Sequence, residues 1–260
     1  MLFVTWNVNS LRARLPRLLE LLELHRPDVV CLQETKCAPD QFPVQELQAA
    51  GYRAEHHSAG QWAGVALLAR DRLELAEPRT GLAGEPVVTE ARWCEATIAG
   101  IRFASTYVPN GRSLDSPEFE RKLAFLDAVA ARARAARGDP GEPPLVIAGD
   151  MNVAPADADV YDPVAFIGST HVSADERERL ETILRDGGLV DAYRRVHPDD
   201  PQFTWWDYRA GNFHKGLGLR IDLALVGREL AGQLVACGID RNFRKGKKPS
   251  DHAPLLVELS

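Results

Sequence analysis

Short apolar runs alternate along this chain with longer segments in which apolar residues recur every three or four positions. The runs have the length and composition of β-strands and lie at residues 2–8, 29–32, 64–69, 89–98, 101–108, 145–148, 203–208, 221–226 and 255–259. The spacing of Leu15, Leu18, Leu19 and Leu22 predicts an amphipathic helix that begins at Leu15-Pro16-Arg17, where an early proline leaves no hydrogen bond unmade. Similar patterns predict helices over 118–137 and 176–185.

Antiparallel hairpins mixed with strand–helix–strand passages predict an α+β fold, with two packed sheets and helices on the outside. The chain has 260 residues, of which 45% are hydrophobic, so it can bury a large core. That length allows one large domain or two small ones. Because helix, strand and turn signals continue without a long linker, we expect a single domain over residues 1–260.

The composition of the chain bears on the cellular compartment in which the protein is expected. No stretch is long and apolar enough to predict a membrane span, and no basic or hydrophobic leader precedes Leu2-Phe3-Val4-Thr5-Trp6. We therefore expect a cytoplasmic protein whose four cysteines are reduced, since their spacing matches no zinc or redox motif.

Charge by itself does not decide whether the partner is a nucleic acid. The formal net charge is -6, which on its face argues against one. The basic residues are clustered, however, and five of the eight residues from 241 to 248 are Lys or Arg. A local basic face on an acidic protein is therefore compatible with nucleic-acid binding.

Polar residues recur where the predicted apolar strands end. They are Asn7, Asn9, Glu34, Tyr107, Asn110, Asp150, Asn152, Asp222, Asp251 and His252. Strand ends on one rim of a sheet converge on one cleft, so we expect these side chains to meet. Oxygen ligands without a Cys or His cluster suit Mg²⁺, with Mn²⁺ able to substitute, rather than Zn²⁺.

Each of these signals also has an ordinary structural explanation. Asn7 and Asn9 could make turns, Asp150 to Asn152 could cap a helix, and Asp251-His252 could lie in a solvated loop. The combination is harder to explain in this way. An acid at Asp222, next to an apolar strand, needs a partner, and His252 is available.

Taken in order, these motifs resemble those of the exonuclease III family of abasic-site endonucleases. The matching strings cover essentially the whole chain and lie at residues 6–14, 32–36, 107–111, 149–152, 219–222 and 250–254. Glu34, Asp150-Asn152 and Asp251-His252 alone would indicate only the wider DNase I-like superfamily. The resemblance implies the endonuclease/exonuclease/phosphatase fold, a four-layer α/β sandwich of two packed mixed sheets flanked by helices.

The resemblance also implies a metal set and an attacking group. Glu34 would bind Mg²⁺ directly, with Asn7 beside it and Asp251 opposite. Asp150 would position and deprotonate the attacking water, and Asn152 would hold that water or a phosphate oxygen. The implied metal set is thus Asn7, Glu34, Asp150, Asn152 and Asp251.

The remaining implied roles concern the phosphate. His252 would donate to a non-bridging oxygen, while Asp222 fixes its tautomer and favours its protonated form. Tyr107 would donate to the phosphate or assist the leaving group. Lys36 and Asn110 would orient the phosphate. Asn9 departs from the acidic residue that human-type enzymes carry there and fits the bacterial branch.

Two further segments are assigned to substrate binding. By resemblance, Trp205, Leu219 and Ile221 would line a small apolar pocket that accepts a flipped-out sugar without a base. In the basic run, Arg244 and Lys245 are predicted to reach phosphates, although an ordinary solvated loop would look the same. Trp206 and Tyr208 are expected to be structural.

Three functions of different kinds remain open from the sequence. The first is a class II abasic endonuclease, a monomer that cuts duplex DNA 5′ to abasic sites, trims blocked 3′ ends and degrades 3′→5′. The second is another phosphoesterase of the superfamily, acting on a phosphoinositide, a lipid or RNA. The third is a non-catalytic nucleic-acid-binding module, against which the presence of Glu34, Asp150 and His252 argues.

Overall fold

The strands and helices of the protein are seen in a computed structural model that describes residues 1–260. The strands are β1 Leu2–Asn7, β2 Val29–Gln33, β3 Tyr52–His57, β4 Val65–Arg70, β5 Ala76–Thr80, β6 Trp93–Ile98, β7 Ile101–Tyr107, β8 Leu145–Asp150, β9 Leu189–Asp191, β10 Asp222–Gly227, β11 Leu234–Ile239 and β12 Leu255–Leu259. The α-helices are α1 Leu11–His25, α2 Val44–Ala49, α3 Pro117–Gly138, α4 Ala174–Gly187, α5 Ala192–Val196 and α6 Asn212–Lys215. None of these helices is long and apolar enough to span a bilayer.

The strands form two six-stranded mixed sheets. The first has the order β11-β12-β1-β2-β4-β3, and the second has the order β5-β6-β7-β8-β10-β9. In each sheet one central pair is parallel, β1 with β2 and β7 with β8, and the other pairs are antiparallel. The middle of each sheet therefore carries two strands that end at the same edge.

The sheets pack face to face and helices cover their outer faces. Phe3, Cys31 and Phe103 belong to a core between the sheets. A second core lies under α3 and α4 against the outer face of the second sheet, and a third lies under α1 against the first. Side chains of β1 alternate between these cores: Phe3 faces the core between the sheets, while Val4 and Trp6 face α1. The four-layer sandwich predicted from the sequence is confirmed.

The first helix begins earlier than its leucine spacing predicted. It starts at Leu11, so Pro16 lies inside the helix and not in its first turn. The backbone N–H groups of Ser10 and Leu11 donate to the carbonyls of Glu34 and Thr35, at 2.8 and 2.9 Å. These long-range partners satisfy donors that a helix start otherwise leaves open, and they offset the missing bond at Pro16.

The predicted strand at 203–208 is wrong. Within this segment only Trp205 forms β-bridges, which are isolated ones to Leu219 and to His252, and the rest of the segment is irregular. The run predicted at 89–98 is shorter than expected and forms β6 only from Trp93. The strands that the pattern missed include β3 and β5 at the sheet edges, whose sequences are polar because an edge strand is partly exposed.

Candidate active site

Strand register brings three predicted site residues of the second sheet side by side. Tyr107 at the end of β7 is the partner of Asp150 at the end of β8, and Asp150 is also the partner of Asp222 at the start of β10. Residues directly opposite one another point to the same face of a sheet. Gly149 permits this close packing, because a Cβ there would lie 2.0 Å from the carbonyl oxygen of Thr106.

The first sheet supplies the facing groups. Asn7 ends β1, and Glu34 directly follows β2. The Asn7 amide donates to Glu34 Oε1 at 2.7 Å and to Asp150 Oδ2 at 2.9 Å, so it joins the two sheets across the cleft. Lys36 Nζ lies 2.5 Å from Glu34 Oε2 and donates to Asn9 Oδ1 at 2.7 Å.

Several residues of the site have a left-handed backbone. Glu34 and Lys36 have φ values of 51° and 48°, which residues other than glycine rarely adopt, and Asn152 has a φ of 50°, which asparagine tolerates better. Such strain persists only where the surroundings enforce it, as functional sites often do. Gly64 is part of that enforcement: its φ is 106°, and a Cβ there would lie 2.1 Å from Thr35 Oγ1.

His252 is held by a carboxylate on one side and faces a second one on the other. Its Nδ1 lies 2.8 Å from Asp222 Oδ2, and its Nε2 lies 3.8 Å from Asp150 Oδ2. Burial disfavours a charge on the imidazole, but the carboxylates of Asp222 and Asp150 outweigh it and raise the pKa of His252 to about 10. His252 is therefore a cation at neutral pH.

Asp150 and Tyr107 hold their protons more tightly than usual. Burial raises the pKa of Asp150 to about 7, against the opposing charge of His252. Burial, together with the charges of Glu34 and Asp150, raises the pKa of Tyr107 well above its ordinary value. Asp150 can therefore accept a proton near neutral pH, while Tyr107 stays a hydroxyl that can donate one.

The carboxylates also fit a divalent cation. Ligand atoms of Glu34, Asp150 and His252 lie within 4.8 Å of one another. Because His252 is protonated and bound to Asp222, the two carboxylates are the available ligands, and hard oxygen donors suit Mg²⁺ or Mn²⁺. Asp251 lies outside this group and accepts hydrogen bonds from Asn9 at 2.9 Å and Trp205 at 3.1 Å.

Comparisons in sequence point to the relatives of this chain. Residues 4–252 match the model of the endonuclease/exonuclease/phosphatase family. The exodeoxyribonuclease III of Haemophilus influenzae is 32% identical, over 100% of both chains. The chain belongs to this family, in its exodeoxyribonuclease III group. An exodeoxyribonuclease of Bacillus subtilis is 29% identical over 100% of this chain and 98% of its own.

Solved structures agree with this family membership. A Neisseria 3′ phosphatase bound to a product DNA hairpin is similar with a TM-score of 0.96 at 38% identity, covering 100% of this chain and 99% of that one. An AP endonuclease from Archaeoglobus fulgidus has a TM-score of 0.94 at 34% identity, again covering 100% of this chain and 99% of its own.

A second set of contacts, on the far side of Asp150, contains a residue that the sequence did not single out. Asn152 and Asn110 lie here, with 3.4 Å between Asn110 Nδ2 and Asn152 Oδ1. His171 reaches both, through Nδ1 to the Asn152 carbonyl at 2.6 Å and through Nε2 to Asn110 Nδ2 at 3.3 Å. Nothing in the sequence around His171 distinguishes it from a loop histidine.

Trp205, Leu219 and Ile221, which the sequence predicted to line a sugar pocket, belong to one apolar cluster. Leu219 and Ile221 are buried together with Ala154 and Val160. Three partly exposed residues pack against this cluster, namely Phe166, Val172 and Trp205. Leu219 and Ile221 therefore form the floor of the cluster, and Trp205 lies on the side open to solvent.

The basic run divides into buried and exposed parts. Arg244 is buried; its guanidinium donates to the Ser250 carbonyl at 2.5 Å and lies 5.0 Å from the centre of the Phe213 ring. Lys245, Lys247 and Lys248 are exposed. Of the two aromatic residues expected to be structural, Trp206 is fully buried, but Tyr208 is 49% exposed.

Proposed function

We propose that this protein is a magnesium-dependent DNA repair phosphodiesterase that cuts duplex DNA 5′ to abasic sites and leaves a 3′-hydroxyl. The observation that carries the proposal is that His252 has Asp222 at one ring nitrogen and Asp150 at the other, beside Glu34, in a chain of the exodeoxyribonuclease III group. A base with a pKa near neutrality and a cationic donor face each other across a space of 3.8 Å.

The proposed chemistry assigns a proton or a charge to each of these groups. Asp150 takes a proton from the attacking water, and His252 donates to a non-bridging oxygen of the phosphate as negative charge develops. Asp222 keeps His252 charged. The P–O3′ bond breaks, and the leaving 3′-oxygen receives its proton from Tyr107.

A Mg²⁺ ion bound by Glu34 and Asp150 would neutralise charge on the phosphate and the leaving oxygen. Asn7 holds these two carboxylates together through its amide, and Lys36 balances the charge of Glu34. Asp251 has donors on both oxygens, and although burial opposes it, the charge of His252 lowers the pKa of Asp251. We propose that Asp251 contributes to the metal site through this negative charge.

Substrate contacts follow from the surroundings of the site. Trp205 would form the wall that a base-free sugar meets, above the floor of Leu219 and Ile221. Asn110 and Asn152 would hold the phosphate or the water, while exposed Lys245 would reach the DNA backbone. Arg244 would act on this surface by shaping the loop, since its guanidinium bonds within the protein.

The same site supports a second activity at 3′ ends. The similar Neisseria structure is that of a 3′ phosphatase, and its DNA is a product hairpin. We infer that the present protein also trims blocked 3′ ends and degrades duplex DNA 3′→5′. We further propose that residues 1–260 form one catalytic domain, active as a monomer in the cytoplasm.

The test is a labelled duplex with one tetrahydrofuran abasic analogue, assayed with Mg²⁺, with Mn²⁺ and with EDTA. We expect cleavage on the 5′ side of the analogue with either metal and none with EDTA. Cleavage in EDTA, or hydrolysis of a phosphoinositide in place of DNA, would contradict the proposal. A second duplex with a 3′-phosphate tests the 3′-end activity.

A further inference from the structure

Lys122 of α3 and Glu176 of α4 form an ion pair in which both side chains are fully buried. Burial lowers the pKa of Lys122, against the charge of Glu176. Removing two charges from water is costly, and apolar residues of similar size often serve stability equally well. Stability alone therefore does not explain why an ammonium group lies here.

The two helices also pack together without this ion pair. Ala133 of α3 and Leu180 of α4 belong to the same apolar core on the outer face of the second sheet. The helices approach so closely that a Cβ at Gly187 of α4 would lie 2.7 Å from the Cβ of Ala133. The ion pair lies elsewhere, in the first two turns of each helix. Its distinctive contacts are therefore those that it makes outside the helices.

The ammonium of Lys122 contacts two loops that carry residues of the site. Its Nζ donates to the carbonyl of Asn152, in the loop after β8, at 2.6 Å, and to the carbonyl of Asn110, in the loop after β7, at 3.2 Å. It also donates to Thr170 Oγ1 at 3.1 Å. No backbone hydrogen bond joins Asn110 to the loop after β8. Lys122 is therefore a direct link between the backbones of the two asparagines.

The loop after β7 fits closely against the Lys122 side chain. Gly111 has a φ of 87°, and a Cβ there would lie 3.0 Å from Lys122 Cδ and 3.1 Å from Thr170 Oγ1. Glycine permits both the left-handed backbone and this close approach. The turn that follows Asn110 thus lies directly on the Lys122 side chain, and its path depends on that side chain.

The side chains of both asparagines lie beside Asp150, the proposed base. The Asn152 N–H donates to Asp150 Oδ1 at 2.9 Å, and the Asn152 amide donates to the Val108 carbonyl at 2.8 Å. Asn110 Nδ2 lies 3.4 Å from Asn152 Oδ1. A shift of either loop would therefore move these amides relative to Asp150.

We propose that Lys122 is a positioning residue: its ammonium joins the loops after β7 and β8 and so sets where the Asn110 and Asn152 side chains lie relative to Asp150. Glu176 supplies the opposite charge that the buried ammonium requires. The inference rests on the proposed function, because it assumes that Asn110 and Asn152 contact the water or the phosphate. It assigns no proton transfer to Lys122.

Two variants separate this role from stability. Glu176→Gln removes the opposite charge but leaves Lys122 and its three other acceptors in place. The double variant, Lys122→Met with Glu176→Gln, carries the same change at 176 and replaces the ammonium by an apolar side chain of similar length. Both asparagine carbonyls keep a second donor from the loop after β8. Because an unpaired buried charge costs more than an apolar replacement, the double variant should be at least as stable as Glu176→Gln.

The experiment measures kcat and KM on the tetrahydrofuran duplex and on the 3′-phosphate duplex, well below the thermal midpoints, which are measured as well. We expect Glu176→Gln to lose stability but to keep a kcat close to that of wild type. The double variant should lose roughly ten- to a hundredfold in kcat, since a misplacement of about 1 Å can cost a hundredfold. KM should change less than kcat.

Arg132→Met is the matched control, because Arg132 lies on the same helix and pairs with the buried Glu95 at 3.0 Å, outside the site. It should lose stability and keep kcat. Equal kcat in the double variant and in Glu176→Gln would overturn the inference, and so would kcat that follows the midpoints across all three variants. If the double variant does not fold, Lys122→Gln with Glu176→Gln takes its place, because glutamine is shorter than lysine and can still bond to the amide at 176.

A measurement that needs no activity completes the test. Nitrogen–proton NMR spectra of the side-chain amides report on the surroundings of Asn110 and Asn152. We expect these signals to stay in place in Glu176→Gln and to shift or broaden in the double variant, and unchanged signals in the double variant would overturn the inference. If wild type cut neither duplex, the proposed function would fail while these signals still reported on Lys122.

Discussion

Replacing Asp222 by asparagine tests the electrostatic role of the carboxylate behind His252. The pair is buried, with Asp222 Oδ2 at 2.8 Å from His252 Nδ1, and Asp222 is the strongest influence that raises the pKa of His252 to about 10. An amide carries no charge. In Asp222→Asn the pKa of His252 should therefore fall towards its ordinary value of 6.5.

The expected loss of kcat in Asp222→Asn depends on pH, because it follows the fraction of His252 rings that remain protonated. With a pKa near 6.5, about a quarter of the His252 rings would be protonated at pH 7, and about one in a hundred at pH 8.5. In wild type the ring stays mostly protonated at both values, since its pKa is about 10. We therefore expect kcat to fall by about fourfold at pH 7 and by about a hundredfold at pH 8.5.

The assay is kcat on the tetrahydrofuran duplex from pH 6 to pH 9.5, with circular dichroism to verify the fold. Below neutrality both proteins should lose activity together, because Asp150 must be ionised and its pKa is raised to about 7 by burial. Asp186→Asn is the control, since Asp186 pairs with Arg134 at 2.6 Å away from the site. A mutant-to-wild-type ratio that stays constant across this range would show that Asp222 does not act through the charge of His252.

Other predictions concern the metal, the DNA surface, the loop and the pocket. Glu34→Ala should raise the Mg²⁺ concentration needed for half-maximal activity, with partial recovery in Mn²⁺, and unchanged metal dependence would remove Glu34 from the metal site. Arg244→Met should lower the free energy of unfolding by roughly 1–3 kcal/mol, seen in urea titrations, because it leaves a buried carbonyl unpaired; wild-type stability would contradict the packing role. Trp205→Ala should reduce the preference for abasic over undamaged 3′ ends in kcat/KM by about 1–3 kcal/mol, and an unchanged ratio would make Trp205 ordinary packing. Replacing the exposed Lys245, Lys247 and Lys248 by alanine should make DNA binding less dependent on salt concentration, and an unchanged salt dependence would mean that this loop does not touch phosphates.

The sequence could predict which polar residues converge at this cleft because they lie at strand ends. An apolar run such as 145–148 can be recognised without a structure, and a polar residue that follows it lies at the rim of a sheet. The pairing of Asp222 with His252 was predictable for a related reason, since a buried acid needs a partner.

Other features could not be read from sequence because they depend on distant contacts. The start of α1 at Leu11 relies on carbonyls of Glu34 and Thr35. Arg244 looks like part of a basic surface run, yet it is buried against aromatic rings. His171 gives no local signal, because its place beside the site comes from a left-handed backbone and from partners 19 and 61 residues away in sequence, Asn152 and Asn110.

The proposed hydrolysis of the phosphodiester is tested most directly by following the oxygen of the attacking water. A duplex with a natural abasic site is cut in ¹⁸O-labelled water with Mg²⁺, and the products are weighed by mass spectrometry. Attack of water at phosphorus predicts one ¹⁸O atom in the 5′-phosphate of the deoxyribose fragment, and an unlabelled 3′-hydroxyl on the upstream strand. An unlabelled 5′-phosphate beside an unsaturated 3′ sugar would indicate elimination in place of hydrolysis, and would contradict the proposed mechanism.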